Sequence, residues 1–321
     1  MQEGDWYIIM NTMILVAGGT GFLGRHIVKK LEETHTPYIS ASSSQGTDFR
    51  DYIQTEKLFQ TNTIDHVVNC AAFVGGISWG YAKPAELYMN NILMSSNLMD
   101  LSHKYGVKRF INPISNCSYP GHLTEDFKES DWWNGELHES VLTYGFVRKA
   151  SWVQGWSYHR QYGMDSIHLI LPNMYGPGDH FEEKRSHALG ALIKKFVDAT
   201  IDHKPQVVVW GTGTPVREWL YVEDAADVLI KSISVSATIK PVNIGLGKGI
   251  NVKEMAELIS KIAGYEGEIV FDLTKPDGAP YKTMNNSRMK KIFMGWEPPT
   301  TLRKGITNTV NWYTANRSKF I

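Results

Sequence analysis

Met13-Ile-Leu-Val-Ala-Gly-Gly-Thr-Gly-Phe-Leu-Gly24 decides the fold of this 321-residue chain. Met13 to Ala17 is a short apolar run without alternation, as expected of a strand buried on both faces. It enters a glycine turn and then a helical stretch, Arg25-His-Ile-Val-Lys-Lys-Leu-Glu32. Strand, glycine turn and helix in that order predict a dinucleotide site. Gly18 permits the tight turn, Gly21 lets backbone amides approach a pyrophosphate, and Gly24 lets the helix pack against the strand. The helix N-terminus then faces the phosphates with its partial positive charge. The next strand, Pro37-Tyr-Ile-Ser-Ala41, runs into Ser42-Ser-Ser44 with no acidic residue to hold a ribose 2′-hydroxyl. With Arg25 nearby, that favours NADP(H) over NAD.

Outward from this stretch, strands are predicted at 64–69, 108–112 and 166–170, and long helices at 84–104 and 142–162. The alternation predicts an α/β fold: a Rossmann-type doubly wound parallel sheet, with a smaller C-terminal α/β lobe for substrate. The division is placed at 10–171 and 172–321, with the two parts interleaved. Asn251 reads as the cap of a C-terminal helix. Lys plus Arg and Asp plus Glu both total 33, so the net charge is zero and nothing attracts nucleic acid or an anionic membrane overall. No apolar run has the length of a transmembrane span, and Met1 to Tyr7 lacks the pattern of a signal peptide. Two cysteines, Cys70 and Cys117, make no disulfide framework; a reducing cytoplasm is the natural reading. Cys70 reads as an inert buried residue, and no metal site is expected.

Four features carry chemistry: Ser115-Asn-Cys-Ser-Tyr-Pro120 after a strand, Tyr144 at the head of a helix, Leu171-Pro-Asn-Met-Tyr-Gly-Pro177 after a strand, and Ser186-His187 on the next helix. Loops beyond the carboxyl ends of parallel strands are where an open α/β sheet places ligands. A hydride delivered to a ketone leaves charge on its oxygen, so a proton must arrive there. Protons alpha to a ketone are acidic, and a thiolate of lowered pKa can remove them.

The spacing G-x-x-G-x-x-G resembles the extended short-chain dehydrogenase/reductase family. Ala71-Ala-Phe-Val-Gly-Gly-Ile77, Ser115 to Pro120, Asn173 to Pro177, Val209 to Trp219 and Lys275-Pro-Asp-Gly-Ala-Pro280 narrow the resemblance. From Ile14 to about Tyr313 the chain is similar to the GDP-L-fucose synthase family, which epimerises and reduces a 4-keto GDP-sugar. The resemblance implies that Ser115 and Tyr144 are the reductase pair, with Arg148 at the base position, and that Cys117 and His187 are the epimerase base and acid. It implies cofactor contacts from Gly18, Thr20, Gly21, Phe22, Leu23 and Gly24, from Ser42, Ser43 and Ser44, and from Asp48 and Phe49. Ala71, Ala72, Arg148, Pro172, Asn173, Met174 and His187 complete that set. It places Asn173, Lys195, Trp210, Arg217 and Asp277 around the GDP-sugar, and it implies a homodimer through the two long helices. A guanidinium fork at Arg217 suits phosphate oxygens, and the Trp210 indole can stack on a purine.

The chain departs from the family at several positions. Thr143-Tyr-Gly-Phe-Val-Arg-Lys149 places Arg148, not lysine, four residues after the tyrosine, on the same helix face. Lys149 stands about 100° further round and cannot replace it. Arg148 keeps a permanent charge and N–H donors, but its planar fork is not equivalent to an ammonium. Phe73, Lys195 and Tyr281 also differ. Three readings remain open on sequence: a reductase/epimerase of a 4-keto GDP-sugar such as a deoxyhexose or heptose, a reductase or dehydrogenase on a related nucleotide sugar without epimerisation, and a redox-inactive NADP-binding protein.

Overall fold

The computed structural model describes residues 12–182, 186, 188–275 and 277–320. Its strands are β1 (Ile14–Ala17), β2 (Tyr38–Ala41), β3 (His66–Asn69), β4 (Arg109–Ser115), β5 (Ser166–Leu171), β6 (Asn173–Tyr175), β7 (Gln206–Trp210), β8 (Val216–Arg217), β9 (Trp219–Tyr221), β10 (Val242–Asn243), β11 (Ile250–Asn251), β12 (Glu268–Asp272) and β13 (Tyr281–Lys282). Its helices are α1 (Phe22–Glu33), α2 (Tyr52–Thr61), α3 (Ile77–Ala82), α4 (Pro84–Lys104), α5 (Leu142–Tyr162), α6 (Ala188–Ile201), α7 (Val222–Lys231), α8 (Val252–Ala263), α9 (Ser287–Ile292) and α10 (Leu302–Asn316).

One six-stranded sheet runs in the order β10-β5-β4-β3-β1-β2, every pair parallel. Ile14 lies level with Tyr38 on one side and His66 on the other. All four residues of β1 are fully buried because both faces of the sheet are covered. Ile14 and Val16 pack into a core shared with α1 and α7. Leu15 and Ala17 enter a second core with Phe59 of α2 and Leu98, Met99 and Leu101 of α4. The two long helices have local reasons for their limits. Pro84 opens α4 at a position needing no amide. Gly163 ends α5 in the left-handed conformation, at φ 72°. Asn251 caps α8 and forms a reciprocal box with Glu254.

A second lobe gathers α6, α8 and α10 around Ile193, Phe196, Ile259 and Tyr313, with the β7–β12 pair on its edge. The small sheet β11-β8-β13 lies between the lobes' loops and presents residues 216–217 and 281–282 together. The chain then returns. Strand β10 becomes the sixth strand of the main sheet, paired with β5. Asn243 in it accepts from Tyr119 Oη at 2.7 Å and donates to the carbonyls of Phe127 and Asn285.

Glu218, between β8 and β9, has no solvent exposure. Its two oxygens accept from the Gly247 and Met284 amides, each at 2.8 Å. Burial pushes its carboxyl up to about 7, against the pull of those main-chain donors. Glu218→Ala leaves the buried Met284 amide and the half-buried Gly247 amide without their acceptor and is expected to cost about 2–5 kcal/mol, seen as a lower urea midpoint. The sign of the pH dependence follows from the raised value. The folded state holds the proton more tightly than the unfolded state, so Glu218's contribution is largest in acid and is lost as pH rises from the ordinary carboxylate range to about 7. Glu218→Gln carries no such titration. The stability of the unmodified chain relative to that variant should fall by about 1–3 kcal/mol between roughly pH 5 and pH 8.

Candidate active site

The glycine turn has the geometry its sequence requires. Gly18 sits at φ 80°, and a Cβ there would stand 2.8 Å from the Ala71 amide nitrogen. A Cβ on Gly24 would stand 2.1 Å from the Gly18 carbonyl oxygen, so the first turn of α1 rests directly on the loop. Gly21 precedes that helix in extended conformation and no side chain caps it. A dinucleotide therefore fits: backbone comes close where a diphosphate needs it, and the helix amides face it. Leu23 is in the core, while Phe22 is half-buried with its ring edge-on to His26.

Beside the loop, Thr20 Oγ1 lies 2.9 Å from both Ser42 Oγ and Ser44 Oγ, which are 3.0 Å apart. Three hydroxyls in mutual contact, with Ser43 exposed next to them, form a polar cradle without a carboxylate. Arg25 folds back onto it, donating to the Gly21 and Thr20 carbonyls. Asp48 is clamped by Arg50, whose guanidinium also reaches Asn90. Arg50 holds the Asp48 carboxyl below its usual range. Phe49 is 3% exposed with its ring in the core. Only its main chain remains available to an adenine. Ala71 and Ala72 follow β3, and Pro172, Asn173 and Met174 follow β5 at the same edge of the sheet.

At that edge β4 ends in Ser115, whose Oγ accepts from the Cys117 amide at 3.1 Å. A Cβ on Gly145 would stand 2.5 Å from the Cys117 carbonyl, so the first turn of α5 lies against this turn and brings Tyr144 to it. Arg148 Nη2 donates to Tyr144 Oη at 3.0 Å, and its guanidinium stacks on the tyrosine ring at 4.7 Å. Arginine accepts no hydrogen bond. That bond therefore does not use the tyrosine's own O–H, and the bond from the Cys117 amide does not use the Ser115 O–H. Arg148 is 5% exposed, and its buried Nε has no partner among the described residues. Lys149 turns away to the carbonyl of Trp132.

Sequence reasoning missed Lys282. It comes from β13, and its Nζ stands 3.6 Å from Cys117 Sγ. Cys117, Tyr281, Lys282 and His138 line one small cavity. An ammonium there suits a sulfur that must carry negative charge while it takes a proton. Asn116 was also missed: it is 1% exposed, and among the described residues neither side-chain amide atom has a partner. His187 lies outside the described residues.

Of the residues read as substrate contacts, Lys195, Trp210, Arg217 and Asp277 come together. Lys195 and Lys275 place their ammonium groups 5.4 and 5.5 Å from the ring centre of Trp210, which is 53% exposed. Arg217 donates to the carbonyls of Val216 and Asp277 and has no ion pair among the described residues. Burial lowers its pKa, while Cys117 and Asp277 nearby act to raise it. A half-buried cation without an ion pair suits an anionic ligand. Asp277 itself holds the loop, accepting from the Thr212 amide and hydroxyl, both at 2.8 Å. Tyr281 donates to Asp126. Asn173 lies in β6, beside Trp219 of β9.

The chain is similar along most of its length to known proteins. Residues 14–245 match the model of the NAD dependent epimerase/dehydratase family. GDP-L-fucose synthase 1 of Arabidopsis thaliana is 34% identical over 94% of this chain and 93% of its own length. The crystal structure of a GDP-6-OMe-4-keto-L-xylo-heptose reductase from C. jejuni superposes with TM-score 0.89 at 25% identity, covering 96% of this chain and 99% of that one. A GDP-L-fucose synthetase from Naegleria fowleri, solved with NADP bound, gives TM-score 0.87 at 25% identity over 96% and 94%. With its glycine cradle, its parallel sheet and its tyrosine-headed helix, the chain belongs to the NAD dependent epimerase/dehydratase family, within the extended short-chain dehydrogenases/reductases.

Proposed function

We propose that the protein is an NADPH-dependent reductase of a 4-keto GDP-sugar, with C3/C5 epimerisation preceding the reduction. The observation that carries this reading is the Arg148–Tyr144 pair, bonded at 3.0 Å and held beside the turn of Ser115 and Cys117. NADPH supplies the hydride. The glycine loop and the α1 amides would hold the diphosphate of the cofactor, and Thr20, Ser42, Ser43 and Ser44 would hold the adenosine ribose and its 2′-phosphate. Tyr144 gives its hydroxyl proton to the sugar O4 as the C4 carbonyl is reduced. Ser115 donates a hydrogen bond to the same oxygen, and Arg148 stabilises the tyrosinate that remains. For epimerisation, Cys117 takes the proton from carbon beside the ketone, with Lys282 as its counter-charge, and His187 returns one to the other face. Arg217 and Lys195 face the GDP diphosphate, and Trp210 offers a stacking surface for the guanine.

The test follows NADPH absorbance and deuterium entry together, with GDP-4-keto-6-deoxymannose in D₂O. NADPH oxidation with deuterium at C3 and C5 is the expected result. Oxidation without deuterium would leave a reductase only, a reading that the structural likeness to the heptose 4-ketoreductase favours. NADPH binding without turnover on a panel of keto-sugars would overturn the proposal.

The proposal extends to a homodimer, in the reducing cytoplasm that suits the free thiols of Cys70 and Cys117. Among the described residues no helix is long and apolar enough to cross a membrane. Helices α4 and α5 pack together through Ser96 and Gln154. They expose Tyr88, Met89 and Leu93 beside Phe146, Val153 and Trp156. So many large apolar side chains on one face suit a second copy of the chain. Phe146→Glu combined with Trp156→Glu is expected to halve the mass measured by light scattering. A chain that is monomeric before substitution would refute the dimer.

A further inference from the structure

Lys149, one residue past the expected base position, makes contacts that the proposed reaction leaves unexplained. It is 5% exposed and has no ion pair among the described residues. A buried ammonium without a carboxylate is costly unless its surroundings replace water. Here three groups do so. Lys149 Nζ donates to the Trp132 carbonyl, and it lies 4.5 Å from the ring centre of Trp133 and 5.6 Å from that of Trp132. Trp152, one turn along α5, packs edge-on to Trp132 at 5.5 Å and at 5.8 Å from Trp133. Three indoles and one ammonium thus fasten the 132–133 segment to α5.

The chain of contacts does not stop there. Trp132 Nε1 donates to Ser118 Oγ at 2.7 Å, and Ser118 Oγ donates to the Ser115 carbonyl at 2.6 Å. Trp132 and Ser118 are 1% and 0% exposed, so neither bond competes with water. Lys149 and Tyr144 share one helix, while Ser115 and Ser118 share one turn. The path Lys149–Trp132–Ser118–Ser115 therefore ties the turn that carries Ser115 and Cys117 to the helix that carries Tyr144. A direct backbone contact at Gly145 sets the closeness of the two elements. The indole path adds a fixed direction, because Trp132 has one donor and Ser118 one hydroxyl hydrogen.

We propose that Lys149 is a positioning residue, acting through Trp132 and Ser118 to set Ser115 and Cys117 against Tyr144. The proposal rests on the reading of Tyr144 and Ser115 as the reducing pair. Desolvation lowers the pKa of Lys149, in keeping with its enclosure among indoles. A misplacement of the order of an ångström costs an enzyme about 10²-fold. Lys149→Met is accordingly expected to lower kcat by about 10- to 100-fold with little change in the KM for NADPH. Lys149→Arg keeps a cation that can donate to a carbonyl and stack on indole, and should restore most of the loss.

Two readouts do not need turnover. Tryptophan emission should shift in Lys149→Met and return in Lys149→Arg. Alkylation of Cys117 by iodoacetamide should quicken several-fold in the Met variant as its turn loosens, and slow again in the Arg variant. If Lys149→Met fails to fold, Trp132→Phe keeps an aromatic ring and the carbonyl but removes the donor to Ser118, and should quicken alkylation in the same way. An unmoved alkylation rate in every folded variant overturns the proposal. So does a kcat that falls only as the folded fraction falls, or a loss that arginine does not restore. If the unmodified protein turns over no keto-sugar while alkylation still follows Lys149, the functional reading fails and the mechanical link stands.

Discussion

Tyr144→Phe is expected to lower kcat for keto-sugar reduction by about 10²- to 10⁴-fold, the range for removing a general acid. NADPH affinity should stay near its original value, because the glycine cradle and the hydroxyl cluster do not involve the phenol. The substitution also takes away the acceptor of Arg148 Nη2. Arg148 is already buried with one nitrogen unpartnered, so the guanidinium would lose a second contact. A stability loss of about 1–3 kcal/mol should accompany the kinetic one. The two effects separate by assay. Steady-state rates well below the melting temperature report the chemistry, and a urea titration reports the lost bond. Arg148→Lys makes a useful companion, since an ammonium four residues along still points at the same phenol. It should keep most of the activity. A Tyr144→Phe protein that reduces its substrate within tenfold of the original would mean that another group supplies the proton.

The second large effect concerns Gly24. In Gly24→Ala the new Cβ would lie 2.1 Å from the Gly18 carbonyl oxygen and 2.8 Å from Gly19 Cα. Both neighbours are backbone and cannot swing aside, so α1 must move off the loop. Overpacking of this kind costs about 1–3 kcal/mol. Much of that strain falls on the amides that face the cofactor diphosphate. NADPH affinity should drop by about 5- to 150-fold, since each 1.4 kcal/mol is a factor of ten. Gly80→Ala is the control, because it lies outside the loop and its Cβ would meet only the Ser140 carbonyl oxygen, at 3.8 Å. It should lose far less. Equal affinities for the two variants, measured by fluorescence titration, would refute the cradle.

Much of this site was legible in the sequence, for physical reasons. A strand buried on both faces shows no alternation, and Ile14 to Ala17 shows none. The ends of α4 and α5 are marked by Pro84 and Gly163, whose backbone restrictions do not depend on tertiary structure. The hydroxyl cluster of Thr20, Ser42 and Ser44 follows once the first two strands are paired. What stayed hidden depends on contacts between distant parts of the chain. Lys282 is 165 residues from Cys117 and has no local feature marking it. Glu218 likewise has no local feature marking it, yet it is an internal acceptor for two amides. Phe49, read with Asp48 as a contact for adenine, has its ring in the core. Its aromatic character was evident in sequence, but which side of the loop it faced was not.

The return of the chain to the main sheet limits how this enzyme can be rebuilt. Strand β10 lies beside β5, and Asn243 holds Tyr119, Phe127 and Asn285 at once. A hybrid joined only after Leu171 would therefore take its sixth strand from one parent and the surface beneath it from another. Working hybrids between relatives need at least two crossovers, one on each side of the returning segment. Exchange of short loops, such as 209–217 and 275–282, leaves that seam intact. Divergence toward new sugars should accordingly be found in those loops, and recombined lobes should be rare.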